Sequence, residues 1–312
     1  MGSNVLKTLE EKIFSLGFQD CRFLLAVSAG LDSMVLLDAF KKLGFSFAVV
    51  HCNYGLRGSA SDLDADLVRT YAEKNGIAFF QKSFFLQKND LSQEHQNIQH
   101  HARNLRYTFF QEILDFFSYA YVVTAHHLED QIETFFLHAL RGSSVRGLAG
   151  MRTLNQNIFR PFLELSKQDL YQYTQEFSVP FREDESNFSN IYKRNLIRHQ
   201  LLPTLKLVQE NYLQTWGKTI QLLKEDLTFL NEKIEEIWQT IIFIEDKKWK
   251  IDLRNWNPQK EYVLKKKILE NFTTNVTILN NLTTAIREKK IDRHFQKPKM
   301  YLGVEKLYIF LP

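Results

Sequence analysis

The first half of the chain alternates short apolar runs with amphipathic stretches. Buried strands are predicted for four mostly apolar runs, at 23–27, 47–51, 77–80 and 121–125. Helices are predicted for the intervening and following segments, at 33–43, 61–74, 96–117 and 129–140. This order predicts an α/β fold in which a parallel twisted sheet has flanking helices. Ligands of such sheets bind beyond the carboxyl ends of the strands, where Ser28, His51 and His126 fall.

Beyond about residue 201 the pattern changes to a long apolar seam. Its residues recur every three or four positions: Leu213, Trp216, Ile220, Leu223, Leu227, Leu230, Ile234, Ile237 and Ile241. The spacing predicts one long amphipathic helix, which either packs against its own chain or forms a coiled coil in a homodimer. A strand at 249–253, helices at 260–272 and 276–289, and a strand pair within 300–310 follow. We expect domains at 1–205 and 246–312, joined by a helical linker at 206–245.

Composition narrows the class of protein. The 312 residues are 44% hydrophobic and 24% charged, as in ordinary globular proteins. No apolar run reaches the roughly 18 residues of a membrane span, and the first residues do not resemble a secretory signal. The two cysteines, Cys21 and Cys52, do not form a CxxC pair. These features predict a cytoplasmic protein without a membrane partner, a disulfide framework or an iron–sulfur cluster.

Charge is unevenly distributed along the chain. The formal net charge is +4, yet residues 247–306 hold 15 Lys and Arg against 6 Asp and Glu. Such a basic end favours a polyanionic partner, such as a nucleic acid. A solvated lysine-rich surface is the alternative.

The clearest motif is the run of small residues Ser28-Ala29-Gly30-Leu31-Asp32-Ser33, between a predicted strand and a predicted helix. Unpaired N–H groups at a helix start bind phosphate. Asp32 beside an anion implies a bridging Mg²⁺. The run is not a Walker A loop, because it lacks the GxxxxGK[ST] pattern and its lysine. Alternatively, Asp32 and Ser33 only cap the helix.

A second cluster comes from one helical face. His126, Asp130 and Glu133 are spaced i, i+4, i+7 and therefore share that face. An imidazole with two carboxylates can hold an ammonium group or a metal ion. The alternative is an exposed polar face at a helix start, where acids are favoured.

The small-residue run resembles the pyrophosphate loop (SGGxDS) of the N-type ATP pyrophosphatases, or PP-loop superfamily. Ala29 replaces the first glycine of that motif. If this position has a positive φ, the methyl group costs about 1 kcal/mol.

Further motifs narrow the resemblance to the tRNA(Ile)-lysidine synthase family. The segment Ala125-His126-His127-Leu128-Glu129-Asp130-Gln131-Ile132-Glu133-Thr134 carries it most specifically. Other matches are 51–57 (with Tyr54 where histidine is common), 102–107, 140–143, 147–151, 160–163, 183–187, 192–198 and Pro203. The C-terminal third resembles the family only in length and basic character, like a shorter form with one small C-terminal domain.

The resemblance implies an ATP-dependent ligase. It would adenylate the C2 oxygen of the first anticodon cytidine of tRNA(Ile) with a CAU anticodon, and then join free L-lysine to C2. ATP would be bound by Ser28, Ala29, Gly30, Leu31, Asp32, Ser33 and, as a neighbour, His51. Asp32 would hold Mg²⁺, Arg106 and Arg198 would clamp phosphate charge, and His126 would contact the α-phosphate or C2 oxygen. Asp130 and Glu133 would bind lysine, and one of them would accept the amine proton. The basic domain 246–312 would bind tRNA.

Alternatives remain at this point. A PP-loop tRNA thiolase needs cysteines that carry sulfur, for which Cys52 is the candidate; a small-molecule synthetase shares only the loop. A tRNA-binding protein with an inactive loop is the reading that Ala29 suggests. Arg106 could instead pair with Glu112, Arg198 could be a surface charge, and His51 could bond to the backbone.

Overall fold

The computed structural model describes residues 2–55, 58–84, 95–183, 193–245, 248–272, 276–289, 293–296, 299–302 and 306–310. The backbone divides into two compact units, Met1–Leu223 and Lys224–Pro312. Parts of three motifs quoted above, around Arg57, Ser186 and Tyr192, lie outside the described residues.

A six-stranded sheet organises the first unit, in the order β3-β2-β1-β4-β6-β5. Its strands are β1 (Phe23–Ala26), β2 (Phe47–Asn53), β3 (Phe79–Ser83), β4 (Tyr121–Val123), β5 (Leu154–Asn155) and β6 (Ile158–Phe159). Neighbouring strands are parallel except for the β5–β6 pair. The predicted parallel sheet is therefore confirmed. β5 and β6 were not predicted, because two residues are too few to show a period.

Helices and helical turns connect and flank these strands: α1 (Gly2–Ser15), α2 (Leu31–Leu43), α3 (Ser59–Lys74), α4 (His95–Phe117), α5 (Leu128–Ala139), α6 (Val145–Leu148), α7 (Lys167–Phe177), α8 (Lys193–Leu196), a π-helix (Ile197–Leu201) and α9 (Leu202–Val208). The four helices expected between and after the strands are confirmed, each within two residues of its predicted start. The helices α1 and α7 were not predicted.

Apolar residues cover both faces of the sheet. On one face Phe23, Phe159 and Phe162 pack with α1, α2 and α7 in the largest core. On the other face Leu24 and Val122 pack beneath α4. Because both faces are covered, the strands read as continuous apolar runs rather than as alternating ones. The rim at the carboxyl ends of β1, β4 and β6 is left for polar side chains.

The second unit contains a five-stranded antiparallel sheet and two helices. The strands are β7 (Ile242–Glu245), β8 (Lys248–Asp252), β9 (Arg293–Gln296), β10 (Lys299–Leu302) and β11 (Lys306–Phe310), in the order β7-β8-β11-β10-β9. The helices α11 (Pro258–Asn271) and α12 (Val276–Arg287) pack on a core that includes Trp238 and Trp249. The predicted small α/β domain is confirmed.

The long helix α10 (Tyr212–Ile241) is confirmed, and the division between the two units falls inside it. Its apolar seam packs within the chain. Leu213, Trp216 and Ile220 belong to a cluster of the first unit, and Ile234 and Ile241 belong to the core of the second. A coiled coil with a second copy would need these same side chains, so the alternative of packing within the chain is the one that the seam supports. Across the described parts of the chain, no helix combines the length and apolar character of a membrane span.

A buried carboxylate ties three helices of the first unit together. Asp38 of α2 is 4% exposed and accepts hydrogen bonds from the hydroxyls of Tyr71 (2.7 Å) and Tyr173 (2.8 Å). Lys42 Nζ lies 3.0 Å from Asp38 Oδ2, the oxygen that also accepts from Tyr173. Removing the carboxylate would leave two hydroxyls without an acceptor in a low dielectric.

We therefore expect Asp38→Ala to lower the free energy of unfolding by about 3 kcal/mol. Asp66→Ala, which breaks the exposed pair with Arg69, should cost less than about 1 kcal/mol. Urea denaturation of both variants checks the difference. Equal losses would mean that Asp38 is not a structural tie.

Candidate active site

The loop after β1 forms a turn closed by serine hydroxyls. The Ser28 amide donates to Ser33 Oγ (3.1 Å), and Ser33 Oγ donates to the Gly30 carbonyl (2.9 Å). The two serine oxygens are 3.2 Å apart. Gly30 is the N-cap of α2 and receives no side-chain cap. The free N–H groups of α2 therefore face the mouth of the turn, as an anion site requires.

The left-handed position of this turn is Ala29. Its φ is +72° and its side chain is fully buried, whereas Gly30 has an ordinary φ of −71°. The condition stated for Ala29 is thus met, and the methyl group costs about 1 kcal/mol. The Ala29 carbonyl accepts a hydrogen bond from the Arg182 amide (2.9 Å). The turn forms despite this strain.

Asp32 sits in the first turn of α2 with one oxygen unused. Its Oδ1 is buried and finds no hydrogen-bond donor within the described ranges. Its Oδ2 lies 3.7 Å from His127 Nε2 and 3.6 Å from Lys167 Nζ. A free carboxylate oxygen beside a phosphate site fits Mg²⁺, which prefers one or two carboxylates plus phosphate oxygens and water. The part of the chain that is described holds no group of three His, Cys, Asp or Glu suited to a metal.

Lys167 brings a cation to this loop from far along the chain. As the first residue of α7, it donates its amide to both oxygens of Glu129, at 3.1 and 3.0 Å. Its ammonium reaches Asp32, and its side chain is half exposed. The loop itself has no basic residue. Lys167 therefore places a positive charge where a Walker A loop has a lysine of its own.

His127 is a central residue that we did not select from the sequence. It is the N-cap of α5, where its amide donates to Asp130 Oδ2 (3.0 Å). Its ring lies 3.0 Å from Glu129 and 3.5 Å from Asp130. Burial lowers the pKa of His127, but Asp130, Glu129 and Asp32 raise the pKa more strongly, to about 9. The buried ring is therefore an imidazolium that joins the loop to the acidic face of α5.

The neighbouring His126 has the opposite protonation. Burial lowers the pKa of His126 to about 4; Asp130 raises it, and Arg160 and Arg194 lower it further. Its Nδ1 is hydrogen-bonded to Thr124 Oγ1 (2.8 Å). A neutral imidazole at the end of β4 can donate or accept a hydrogen bond at its other nitrogen.

Asp130 and Glu133, predicted to bind lysine, are both paired with arginines. Arg194 donates to Glu133 Oε2 (2.5 Å) and to Asp130 Oδ1 (2.8 Å). Arg198 donates to Glu133 Oε1 (2.5 Å) and to Asp130 Oδ1 (3.2 Å). Glu133 is fully buried and Asp130 is 8% exposed. The face is therefore not the exposed polar surface that we considered, and Arg198 is not a solitary surface charge.

Arg106, predicted to clamp phosphate, contacts Tyr54 instead of Glu112. Its Nε donates to the Tyr54 hydroxyl (3.1 Å), and its guanidinium lies 5.9 Å from the centre of that ring. Glu112 pairs with Lys82. Tyr54, at the position where histidine is common, thus orients Arg106 just past the end of β2.

His51 bonds to the backbone, as the alternative interpretation expected. Its Nδ1 lies 2.8 Å from the Val27 carbonyl, and the ring is buried. Burial lowers the pKa of His51. It therefore holds the residue that precedes the phosphate loop, and a direct contact with ATP stays a prediction.

Arg160 follows β6 and was quoted only as part of a motif. The side chain is 6% exposed and donates to the Arg152 carbonyl (3.2 Å). Its Nε has no acceptor among the residues that the structure describes. Burial lowers the pKa of Arg160, which a hydrogen bond to Tyr107 partly offsets. Its charge adds to the positive potential around His126.

The geometry defines a class of protein. A turn of small residues joins a parallel strand to a helix, and the next strand of the sheet ends in paired acids, imidazoles and arginines. This is an α/β protein of the pyrophosphate-loop class, and the family model described as the PP-loop domain matches residues 3–205.

Curated relatives point to one family within that class. The chain is 31% identical over 318 residues to the tRNA(Ile)-lysidine synthase of Neisseria gonorrhoeae, covering 95% of this chain and 67% of the relative. It is 35% identical to that of Chlorobaculum tepidum, covering 68% and 64%, and 31% identical to that of Bacteroides thetaiotaomicron, covering 72% and 52%. The chain belongs to the tRNA(Ile)-lysidine synthase family of PP-loop proteins.

The chain matches only part of some relatives, and it shares its fold with a more distant solved structure. The chain spans about half the length of the Bacteroides relative, at 52%. Among solved structures, the U34-tRNA thiolase NcsA from Methanococcus maripaludis, solved with its 4Fe-4S cluster, superposes with a TM-score of 0.58. The two are 13% identical, and the match covers 71% of this chain and 79% of the thiolase. That match shows a shared fold.

The adjacent histidines give a direct test of the charge pattern. Between about pH 5 and pH 8, His127 should be protonated and His126 neutral, because their pKa values are about 9 and about 4. NMR titration of the histidine rings, assigned with His126→Gln and His127→Gln, measures both. Two ordinary titrations near pH 6.5 would contradict the network described here.

Lys167 gives a second test, on nucleotide affinity. We expect Lys167→Ala to weaken ATP binding about tenfold, the loss of roughly one charge-assisted hydrogen bond. AMP, which lacks the β- and γ-phosphates, should bind within twofold of the unaltered chain. Calorimetry with Mg²⁺ measures both ligands, and Lys12→Ala, which breaks a pair with Glu164, is the matched control. Equal losses for ATP and AMP would contradict a phosphate contact.

Proposed function

We propose that the chain is an ATP-dependent tRNA(Ile)-lysidine synthase. It adenylates the C2 oxygen of the first anticodon cytidine in a tRNA(Ile) with a CAU anticodon, and it then joins free L-lysine to C2. AMP and pyrophosphate are released. The proposal takes the activity named for the relatives and assigns its steps to residues of this chain.

One observation carries the proposal. Asp32 of the phosphate loop and Asp130 of the acidic face lie 3.7 Å and 3.5 Å from the same atom, Nε2 of His127. A reaction that couples loss of pyrophosphate to attack by an amine needs these two groups within one small site. The loop and the acids come from different strand–helix junctions, so their meeting is a property of the fold.

In the first step the C2 oxygen attacks the α-phosphorus of ATP. An O–P bond forms, and the bond to the β-phosphate oxygen breaks. The α2 amides, the serine hydroxyls of the loop and Lys167 bind the departing pyrophosphate. Mg²⁺ on Asp32 would neutralise charge on the phosphates. Neutral His126 lies beside the reacting oxygen or α-phosphate, and Arg106 and Arg198 are the proposed cationic clamps.

In the second step the lysine amine attacks C2. A C–N bond forms, the C2–O bond breaks, and AMP leaves with that oxygen. Adenylation is needed because the carbonyl oxygen alone is a poor leaving group. Asp130 and Glu133 are the proposed seat of the lysine ammonium. Its proton must leave before attack, since the free pKa is about 10.4.

Asp130 is a poor acceptor for that proton. Burial raises the pKa of Asp130, but His127, Arg194 and His126 lower it far more, well below its usual range. A carboxylate with so low a pKa binds an ammonium but does not deprotonate it. Of the two carboxylates expected to accept the amine proton, Glu133 therefore stays the proposed acceptor, and Asp130 is withdrawn.

The second unit is the proposed contact for the rest of the tRNA. The segment 247–306 has an excess of nine basic residues, and a polyanion is the partner that such charge favours. Residues that distinguish tRNA(Ile) from other tRNAs with the same anticodon would lie in this second unit. A cytoplasmic location agrees with a tRNA substrate. A homodimer is supported by the family resemblance alone.

A thiolase is the second candidate, and its chemistry fits this chain poorly. Burial raises the pKa of the Cys52 thiol to about 11, although Arg106 and Tyr54 act to lower it. A thiol at that pKa is a weak nucleophile near neutral pH.

The decisive assay is incorporation of radiolabelled lysine into tRNA(Ile) with and without ATP. We expect incorporation only with ATP, and one AMP released per lysine joined. Asp130→Asn should lower incorporation about 100-fold, while pyrophosphate release with tRNA but without lysine falls less than about tenfold. Asparagine keeps an acceptor for the His127 amide, so α5 stays capped. Asp66→Asn is the control. Equal loss of both steps would reject the assigned role, and ATP use without lysine transfer would reject the function.

A further inference from the structure

We propose that Arg194 and Arg198 occupy the seat of the lysine ammonium until the phosphates of ATP draw them away, so that tight lysine binding follows ATP binding. Arg194 is thereby a positioning residue, for which no role was predicted from the sequence. The inference rests on the proposed function and adds an order of binding to it.

The acceptors of the two carboxylates are largely occupied by the arginines. Glu133 Oε1 accepts from Arg198, and Oε2 accepts from both Arg194 and Arg198. Asp130 Oδ1 also accepts from both arginines, and Asp130 Oδ2 accepts the His127 amide. An ammonium brings three donors and needs acceptors for them. Glu133 Oε2 and Asp130 Oδ1 therefore accept two hydrogen bonds each, and Glu133 Oε1 and Asp130 Oδ2 accept one each. Because a carboxylate oxygen has two acceptor positions, the three donors of an ammonium cannot all be satisfied unless a guanidinium leaves.

The charges of the acids and the arginines are also balanced. Two buried carboxylates are balanced here by two guanidinium groups. An added ammonium would leave an excess positive charge in a poorly solvated place, which is costly. If one guanidinium leaves as the ammonium arrives, the balance is kept. The exchange is therefore favoured over simple addition.

The two arginine side chains are freer to move than the carboxylates they bind. The carboxylates are buried on α5, but the side chains of Arg194 and Arg198 are 39% and 31% exposed. They project from the four-residue helix α8 and from the π-helix Ile197–Leu201. π-Helical turns are rare and are concentrated at functional sites. The arginines are the partners that can swing outward.

The phosphates of ATP are suited to compete for the two guanidinium groups. Guanidinium groups bind phosphate in a bidentate manner, and a bound triphosphate would place several negative charges at the loop Ser28–Ser33. Burial lowers the pKa of Arg198, but its hydrogen bond to Glu133 and the charges of Glu133, Asp130 and Asp32 raise it, so Arg198 interacts electrostatically with this loop. Phosphates at the loop would thus compete with Glu133 and Asp130 for the same guanidinium groups.

The test is equilibrium dialysis of radiolabelled L-lysine against the full chain, without tRNA so that no lysine is consumed. α,β-Methylene ATP with Mg²⁺, which cannot be cleaved at the relevant bond, serves as the nucleotide. We expect the unaltered chain to bind lysine at least about tenfold more tightly with the analogue, a coupling of about 1.4 kcal/mol. AMP should change lysine affinity less than about twofold.

Arg194→Gln separates this mechanism from a general effect of ATP. It removes one guanidinium and should bind lysine about tenfold more tightly than the unaltered chain when no nucleotide is present. Its coupling to the analogue should shrink to less than about threefold. Arg141→Gln removes an exposed arginine near the end of α5 and should behave like the unaltered chain.

Equal lysine affinity with and without the analogue would overturn the inference, and this measurement needs no variant. An Arg194→Gln protein that is folded, by its melting curve, but coupled like the unaltered chain would overturn it as well. If lysine is incorporated into tRNA while its binding is uncoupled, only the order of binding fails. If lysine neither binds nor is incorporated, the proposed function fails together with it.

Discussion

The site depends on one interaction, the buried imidazolium of His127 between carboxylates of two different helices. Asp32 enters from α2 and Asp130 and Glu129 from the first turn of α5. In a low dielectric these acids would repel one another. A protonated ring among them offsets that repulsion, so the three side chains can lie close together. The His127 amide also caps α5 through Asp130, so the same residue fixes the helix and the charge pattern.

Charge balance then extends outward from this centre. Asp130 shares His127 with the loop and shares Arg194 and Arg198 with Glu133, while Glu129 holds the amide of Lys167 at the loop. Asp32, Asp130 and Glu133 thus have cationic partners from other segments of the chain, whereas Glu129 pairs with the neighbouring His127 ring. Asp32 Oδ1 departs from this rule within the described site, and it points to the cation that accompanies the phosphates. The positions of these charged side chains thus determine where charged ligands would bind.

The sequence predicts the parts of this fold that carry a period. The apolar strands β1, β2 and β4 and the helices between them follow from burial alone. The motif residues Ser28, Asp32, His126 and Asp130 fall at strand ends, where the parallel sheet brings them together. Pairings between distant segments carry no period. Lys167 meets Asp32 across 135 positions of the chain, and Arg194 meets Glu133 across 61, so neither could be inferred from spacing.

Protonation could not be read from the sequence either. His126 and His127 are adjacent and of one type. At His126 burial outweighs the charge of Asp130 and lowers the pKa, whereas at His127 Asp130, Glu129 and Asp32 together outweigh burial and raise the pKa. Their roles follow from that difference, since a neutral ring can hydrogen-bond a reacting oxygen while a charged ring organises acids. The carboxylates of Asp130 and Glu133 also depend on their neighbours. Both are buried, and a buried carboxylate is costly without a cationic partner. If a guanidinium leaves only as an ammonium arrives, both carboxylates keep a cationic partner throughout the exchange.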